Sequence, residues 1–318
     1  MLKKVFISAI LLLAVLSFVV SLLKGKNNDE NKANVTTPDR VAVINIFGTI
    51  TSGPDMKDNP FQEQRGISSG RIIKELRDAA KDKTVKAVVL RIDSGGGSAT
   101  AAEEVERELK RFKEKTNKPI VATMGDMGCS AAYWIAVCHS DIVYANNSTL
   151  TGSIGVYMPY MNLEELMKKV GVKTSKIKSG AHKDIMAYDR PMTKDEEIIM
   201  QNIVNEIYDD FLDVVAKGRK LDRAIVKSYA DGRIFTGKQA RSYRLIDEIG
   251  DYYDALAMAG ELGKIKPGED GLPPVKSAPQ KQAWEYLLGA HIAEVVKTEL
   301  VQQLHKDLGA DMVQPALR

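Results

Sequence analysis

The sequence predicts an α/β domain with buried, largely parallel strands, carried behind an N-terminal transmembrane helix. Apolar runs alternate with amphipathic helical stretches, which is the pattern of a sheet covered on both faces. A single long apolar run opens the chain. The 318 residues are 44% hydrophobic, ordinary for a chain that buries a core.

Val5 to Leu23 is apolar apart from Ser8, Ser17 and Ser21. As a helix it would reach roughly 28 Å, near the hydrocarbon thickness of a bilayer. No small-x-small cleavage site or lipid-accepting cysteine follows, so an uncleaved single span is expected. Lys24 and Lys26 follow the run, which weakens the positive-inside signal; the terminal amine, Lys3 and Lys4 favour a cytoplasmic N-terminus and an extracytoplasmic domain. Residues 1–26 are therefore the expected anchor and 27–40 a polar linker.

The domain is expected over 41–262. Val41–Ile50 reads as a strand, Gly53–Gly66 as a polar loop and Ser69–Asp82 as a helix through Ile72, Ile73, Leu76 and Ala79. Val85–Ile92 reads as a strand, Thr100–Lys115 as a charged amphipathic helix and Pro119–Met124 as a strand ending in a turn. Ser130–Val137 opens another helix, Ile142–Tyr144 is a short strand, and Thr193–Lys217 carries an apolar stripe. Residues 263–318 divide into a Pro/Gly-rich stretch to Lys281, expected as a loop, and an amphipathic helix, Trp284–Leu308, suited to packing or to subunit contacts.

The 45 basic and 42 acidic residues nearly balance, and no dense basic run occurs, which excludes a nucleic-acid surface. His139, His182, His291 and His305 are scattered without metal-ligand spacing, so no metal and no cofactor is expected. Cys129 and Cys138 on one helix would lie roughly 13 Å apart, too far to pair, and read as buried small hydrophobes.

Four segments could carry chemistry. In MGDMGCSAAYW (Met124–Trp134), Ser130 falls at a helix start among small residues, where the terminus favours developing negative charge; a serine there also serves as an ordinary N-cap. IDSGGGS (Ile92–Ser98) frees backbone N–H groups to converge, as in an oxyanion hole, and also suits a flexible turn; its spacing fits no nucleotide-binding loop. TGSIGV places Ser153 between glycines. In SGAHKD, Lys183 sits beside small and apolar residues; a lysine desolvated next to a serine can act as general base, with His182 the alternative.

Taken together, and with GRIFTGKQARSYRLIDEIG (Gly232–Gly250), these segments resemble the SppA-type signal peptide peptidases of bacteria, a serine peptidase family, from about Val41 to Tyr253. The resemblance implies a ClpP/crotonase-like spiral of ββα units. It implies Ser130 as nucleophile, Lys183 as general base, Ser153 as the hydroxyl that orients the lysine, and the Gly97 and Ala131 N–H groups as oxyanion hole. It also implies hydrophobic peptide substrates such as cleaved signal peptides, a ring-shaped homo-oligomer and a membrane-bound location. The chain departs from the family at Asp93-Ser94-Gly95-Gly96-Gly97, where Asn-Ser-Pro-Gly-Gly is usual, and at Ala131-Ala132, where two glycines are usual. An acyl-CoA enzyme of crotonase type and a non-catalytic membrane scaffold are the rival readings.

Overall fold

The structure, a computed structural model, describes residues 38–53 and 66–277. The expected anchor and the expected C-terminal amphipathic helix lie outside the described residues. Among the described residues, no helix is long and apolar enough to cross a membrane.

The chain runs β1 (Arg40–Phe47), β2 (Thr49–Thr51), β3 (Gly66–Ser68), α1 (Ser69–Lys81), β4 (Val85–Ser94), α2 (Ala99–Thr116), β5 (Ile120–Cys129), α3 (Ala131–Cys138), β6 (Ile142–Ala145) and β7 (Leu150–Gly152). There follow α4 (Glu164–Lys169), α5 (Lys194–Arg219), α6 (Arg223–Tyr229), β8 (Ile234–Thr236), α7 (Gly237–Ser242), β9 (Glu248–Ile249), α8 (Tyr252–Leu262) and β10 (Val275–Ser277). The main sheet has the order β10-β1-β4-β5-β6-β9, all parallel, with β7 branching from β5 and β8 antiparallel to β7. A parallel-rich α/β fold is thus what the apolar runs announced.

Burial on both faces explains those runs. Ala42, Ile44 and Ile46 of β1, Val88, Leu90 and Ile92 of β4, and Ile120, Ala122 and Met124 of β5 enter a core shared with α1, α2, α3 and α5. The alternate residues Val41, Val43, Ala87, Val89 and Val121 enter a second core under Ala255, Leu256 and Ala259 of α8. Successive side chains of a strand point to opposite faces, so a strand buried twice cannot alternate with polar residues.

Three details depart from the expectations. Gly48, at φ 70°, breaks the first apolar run into β1 and β2. The strand expected to end at Met124 continues to Cys129, because Gly125 to Gly128 stay extended: Met127 N donates to Asp93 Oδ1 (3.0 Å), while Thr149 and Thr151 Oγ1 donate to the carbonyls of Gly125 (2.6 Å) and Gly128 (2.7 Å). Finally, β10 forms inside the Pro/Gly-rich stretch and pairs with β1, a contact with a partner more than two hundred residues away in sequence.

The long helix α5 is seated on α3. Trp134 stacks on Phe211 with ring centroids 5.1 Å apart, and its Nε1 donates to Glu106 (2.6 Å). At Gly218 a Cβ would stand 2.1 Å from the Val137 carbonyl oxygen, so only glycine permits this approach. Next to it, Arg219 Nη1 and Nη2 each donate to an Asp247 carboxylate oxygen at 2.7 Å, and the Val143 N–H donates to the same carboxylate. Burial works to raise the Asp247 carboxyl, but the Arg219 bonds and charge together with the Val143 N–H outweigh it and hold the group below its usual range.

A carboxyl lowered in the folded state stabilises above its unfolded pKa, and that stability is lost as pH falls through the folded value. Arg219→Gln should therefore destabilise the domain near neutral pH by about 1–2 kcal/mol, the carboxylate being partly screened by solvent. Thermal melts should show the gap to wild type narrowing as the pH falls below about 4.

Candidate active site

The catalytic candidate Ser130 stands where β5 changes neighbours. Val121 to Met124 pair with β6, whereas Met127 to Cys129 pair with β7, in the register Met127↔Leu150, Gly128↔Thr151 and Cys129↔Gly152. One residue further, the Ser130 N–H donates to Gly152 O (3.0 Å), and the Ser130 carbonyl accepts Trp134 N–H (3.0 Å) to start α3. Held between a strand and a helix, Ser130 adopts φ 53°, ψ −126°. That backbone costs on the order of 1–3 kcal/mol for a residue with a Cβ and persists only where the surroundings enforce it. The Ser130 side chain makes no capping bond. The N-cap reading is therefore set aside, and among the described residues the hydroxyl has no hydrogen-bond partner.

Ser153 follows Gly152 and is the next step of the same register, so the two serines lie at the ends of neighbouring strands. Ser153 has φ 50°, and its N–H donates to Arg233 O (2.9 Å) on the segment entering β8. Gly152 is a required glycine: at φ 82° its Cβ would meet the Phe235 ring at 2.6 Å.

The glycine-rich turn packs directly on Ser130. A Cβ on Gly96 (φ 107°) would lie 2.8 Å from both Ser130 Cβ and Cys129 O, and 3.1 Å from Ala131 N. A Cβ on Gly97 (φ 157°) would lie 2.0 Å from Ile50 O. Ser94 Oγ fixes the turn by donating to Gly48 O (2.5 Å) and accepting Gly96 N–H (3.0 Å). Ile50 N bonds Gly96 O and Ser98 N bonds Ile50 O, so Gly97, lying between them, turns its own N–H away from β2. Ala131 is the first residue of α3, where helix N–H groups lack intrahelical partners. Gly97, Ala131, Ser130 and Ser153 are thus brought to one place. Ser94, Gly96, Thr151 and Gly152 build that place; they lie within IDSGGGS and TGSIGV, whose glycines the sequence marked, but Ser94 and Thr151 were given no role there.

Lys183 is exposed, in a turn over 180–187 whose later residues are half-buried; its N–H donates to Gly180 O (3.3 Å), and among the described residues no hydrogen bond joins its amine to Ser130 or Ser153. His182 is also exposed and its Nδ1 lies 3.9 Å from Glu196 Oε1. Around Lys183, the stretch from Tyr157 to Ile203 exposes Tyr157, Met161, Leu166, Val172, Ile177 and Ile198. Next to the serines, Met127 of β5 and Leu150 of β7 are register partners, and Ile234 of β8 lies on the same face; all three are exposed apolar side chains.

Both cysteines are free thiols. Cys129 is buried against the Leu150 carbonyl, and burial pushes both thiols up, Cys138 strongly. Among the described residues no His/Cys/Asp/Glu group has metal-binding geometry.

Residues 112–266 match the model of Peptidase family S49. Over 232 residues the chain is 37% identical to a provisionally named protease of Synechocystis sp., covering 73% of this chain and 77% of that one. It is 32% identical over 266 residues to an Enterococcus faecium protein provisionally named signal peptide peptidase SppA, covering 77% and 76%. Protease 4 of Haemophilus influenzae is 35% identical over 225 residues, which are 71% of this chain but 35% of that larger protein. The chain belongs to peptidase family S49 and is a serine peptidase of the SppA type.

Proposed function

We propose that this protein is a membrane-anchored endopeptidase that cleaves hydrophobic peptides, such as released signal peptides, with Ser130 as nucleophile and Lys183 as general base. The observation that carries the reading is Ser130 itself: a strained backbone, a hydroxyl that caps no helix and a glycine turn in contact with its Cβ. Strain enforced at a serine on a strand-to-helix junction is a feature of nucleophile placement.

In the reaction, the neutral Lys183 amine takes the Ser130 proton as Oγ adds to the peptide carbonyl. The oxyanion accepts hydrogen bonds from Gly97 and Ala131 N–H. Collapse breaks the C–N bond, and the lysine ammonium gives its proton to the leaving amine. Water, deprotonated by the same amine, then hydrolyses the ester and restores Ser130. Ser153 orients the amine. The exposed apolar strip of Met127, Leu150 and Ile234 suits apolar substrate side chains, and a span at Val5–Leu23 would hold the domain at the outer membrane surface, where such peptides are released.

Lys183 acquires its setting by assembly. Its segment exposes a series of apolar side chains, and packing of further copies in a ring would cover them and take the amine out of water beside a serine. A ββα spiral of the ClpP/crotonase type accommodates such a ring.

Ser130→Ala and Lys183→Ala should each abolish cleavage of a hydrophobic fluorogenic peptide with the melting temperature preserved. Lys183→Arg should be inactive too, since arginine keeps its proton; normal turnover in it would refute the assignment of the base. A fluorophosphonate should label Ser130 in the wild type, read by peptide mapping. Gly97→Ala, which drives a Cβ into the Ile50 carbonyl, should lower kcat by about a hundredfold as the oxyanion donor is displaced.

A further inference from the structure

The segment that carries Lys183 has almost no apolar core of its own, yet it is ordered by charge. Of residues 174–196 only Glu196 is fully buried. Its centre is one guanidinium. Arg190 Nε and Nη2 donate to Asp184 Oδ2 (3.0 Å) and Oδ1 (2.8 Å), while Nη1 and Nη2 donate to Glu196 Oε2 (2.7 Å) and Oε1 (2.6 Å). Arg190 also donates to the backbone carbonyls of Asp184 (3.2 Å) and Pro191 (3.0 Å), and its own carbonyl accepts the Tyr160 hydroxyl (2.6 Å).

The network is balanced. Lys178 bonds Asp184 (2.7 Å), and Lys176 bonds Asp189 and stands 3.6 Å from Asp184. Three cations, Lys176, Lys178 and Arg190, thus face three carboxylates, Asp184, Asp189 and Glu196. Glu196, almost fully buried, also accepts the Thr193 N–H (2.9 Å) in the capping box of α5, and His182 approaches it from the loop. The other charged residues of the first turn of α5, Lys194, Asp195 and Glu197, make no described bond to the cluster. Lys183 lies between His182 and Asp184, and it is left out: among the described residues no carboxylate pairs with its amine.

We infer that Arg190 is a positioning residue for Lys183, clamping the turn from both sides and neutralising Asp184, the next residue in the chain, and Glu196 so that the amine stays available as a base. The inference rests on the reading of Lys183 as that base. The clamp is geometric first. Asp184 follows Lys183 directly, so a guanidinium bonded to both its carboxylate and its carbonyl fixes the backbone that aims the lysine, and the bond to Glu196 fixes that backbone to α5. It is also electrostatic. Arg190 is the largest cause holding Asp184 well below the usual carboxylate range and Glu196 at about 2. Without Arg190, less of the negative charge on Asp184, the residue next to Lys183, and on Glu196 is compensated, which favours the protonated amine.

The test measures kcat, KM and the pH dependence of kcat for hydrophobic-peptide cleavage by the full chain. Arg190→Gln should lower kcat about tenfold or more with KM little changed, and should move the rising limb of the profile about one pH unit to the alkaline side. Arg190→Lys, which keeps the charge but cannot hold both carboxylates in one plane, should fall between. Adding Asp184→Asn and Glu196→Gln to Arg190→Gln should return the limb towards the wild-type position while kcat stays low. Lys183→Ala runs beside them. If it turns over normally, the base has been misassigned and the inference falls with it. If it is inactive while Arg190→Gln keeps the wild-type limb, only the role of Arg190 is overturned, whether kcat is normal or reduced. Should circular dichroism show Arg190→Gln unfolded, the Arg190→Lys profile decides, an unshifted limb with normal kcat overturning the inference.

Discussion

No side-chain atom fits between the turn at Gly96–Gly97 and the strands on either side of it, and the geometry around Ser130 depends on that exclusion. Gly97 lies against the Ile50 carbonyl and Gly96 against the Ser130 Cβ, so the turn bridges β2 and the end of β5 at backbone contact distance. Ser94 Oγ holds it there from within. Because Ile50 consumes the groups on either side of Gly97, the Gly97 N–H is directed away from the β2 edge rather than into it. Where the family resemblance leads one to expect two glycines after the serine, this chain has Ala131 and Ala132, both buried in α3.

The same crowding shapes the serine. A strand that remained beside β6 would have ended in an ordinary turn. Instead β5 bends by way of Gly125, Asp126 and Met127, is caught by Asp93, Thr149 and Thr151, and continues beside β7. The Ser130 N–H is then committed to Gly152, which leaves the residue in a positive-φ conformation and its hydroxyl out of the helix cap. Buried packing of Ala131–Val137 beneath it, with Trp134 on Phe211, supplies the rigidity that such a backbone needs.

The two halves of the proposed dyad rest on different physics. The serine half is an extension of the hydrophobic core. The lysine half stands on an ion network knit by Arg190, set in a stretch with apolar side chains in solvent. A core placed next to an ionic, incompletely covered segment is compatible with the proposed completion of the site by association of copies.

Much of the fold was legible in residues alone. Runs such as Val41–Phe47 and Val85–Ile92 admit few structures besides strands buried on both faces, and the segments around Ser130, Ser153 and the glycine turn stand out as glycines and small residues; the particular roles of Ser153, Gly97 and Ala131 came from the family resemblance. Other features were silent. The prolines around β10 suggested a loop, since nothing nearby discloses that β1 leaves an edge open for Val275–Ser277. Gly125 and Gly128 suggested a turn, because the side chains that keep them extended, Asp93, Thr149 and Thr151, come from other parts of the chain. Whether Ser130 caps its helix was undecidable until its backbone and bonding were known, and nothing in the sequence marks Arg190 out from the other charged residues. Sequence by itself determined which segments must be buried and which backbones need glycine, because those are properties of a residue and its immediate neighbours. Only the tertiary structure decided where strands change partners, which hydroxyl stays free and which carboxylates a guanidinium holds, because each depends on groups that meet through space.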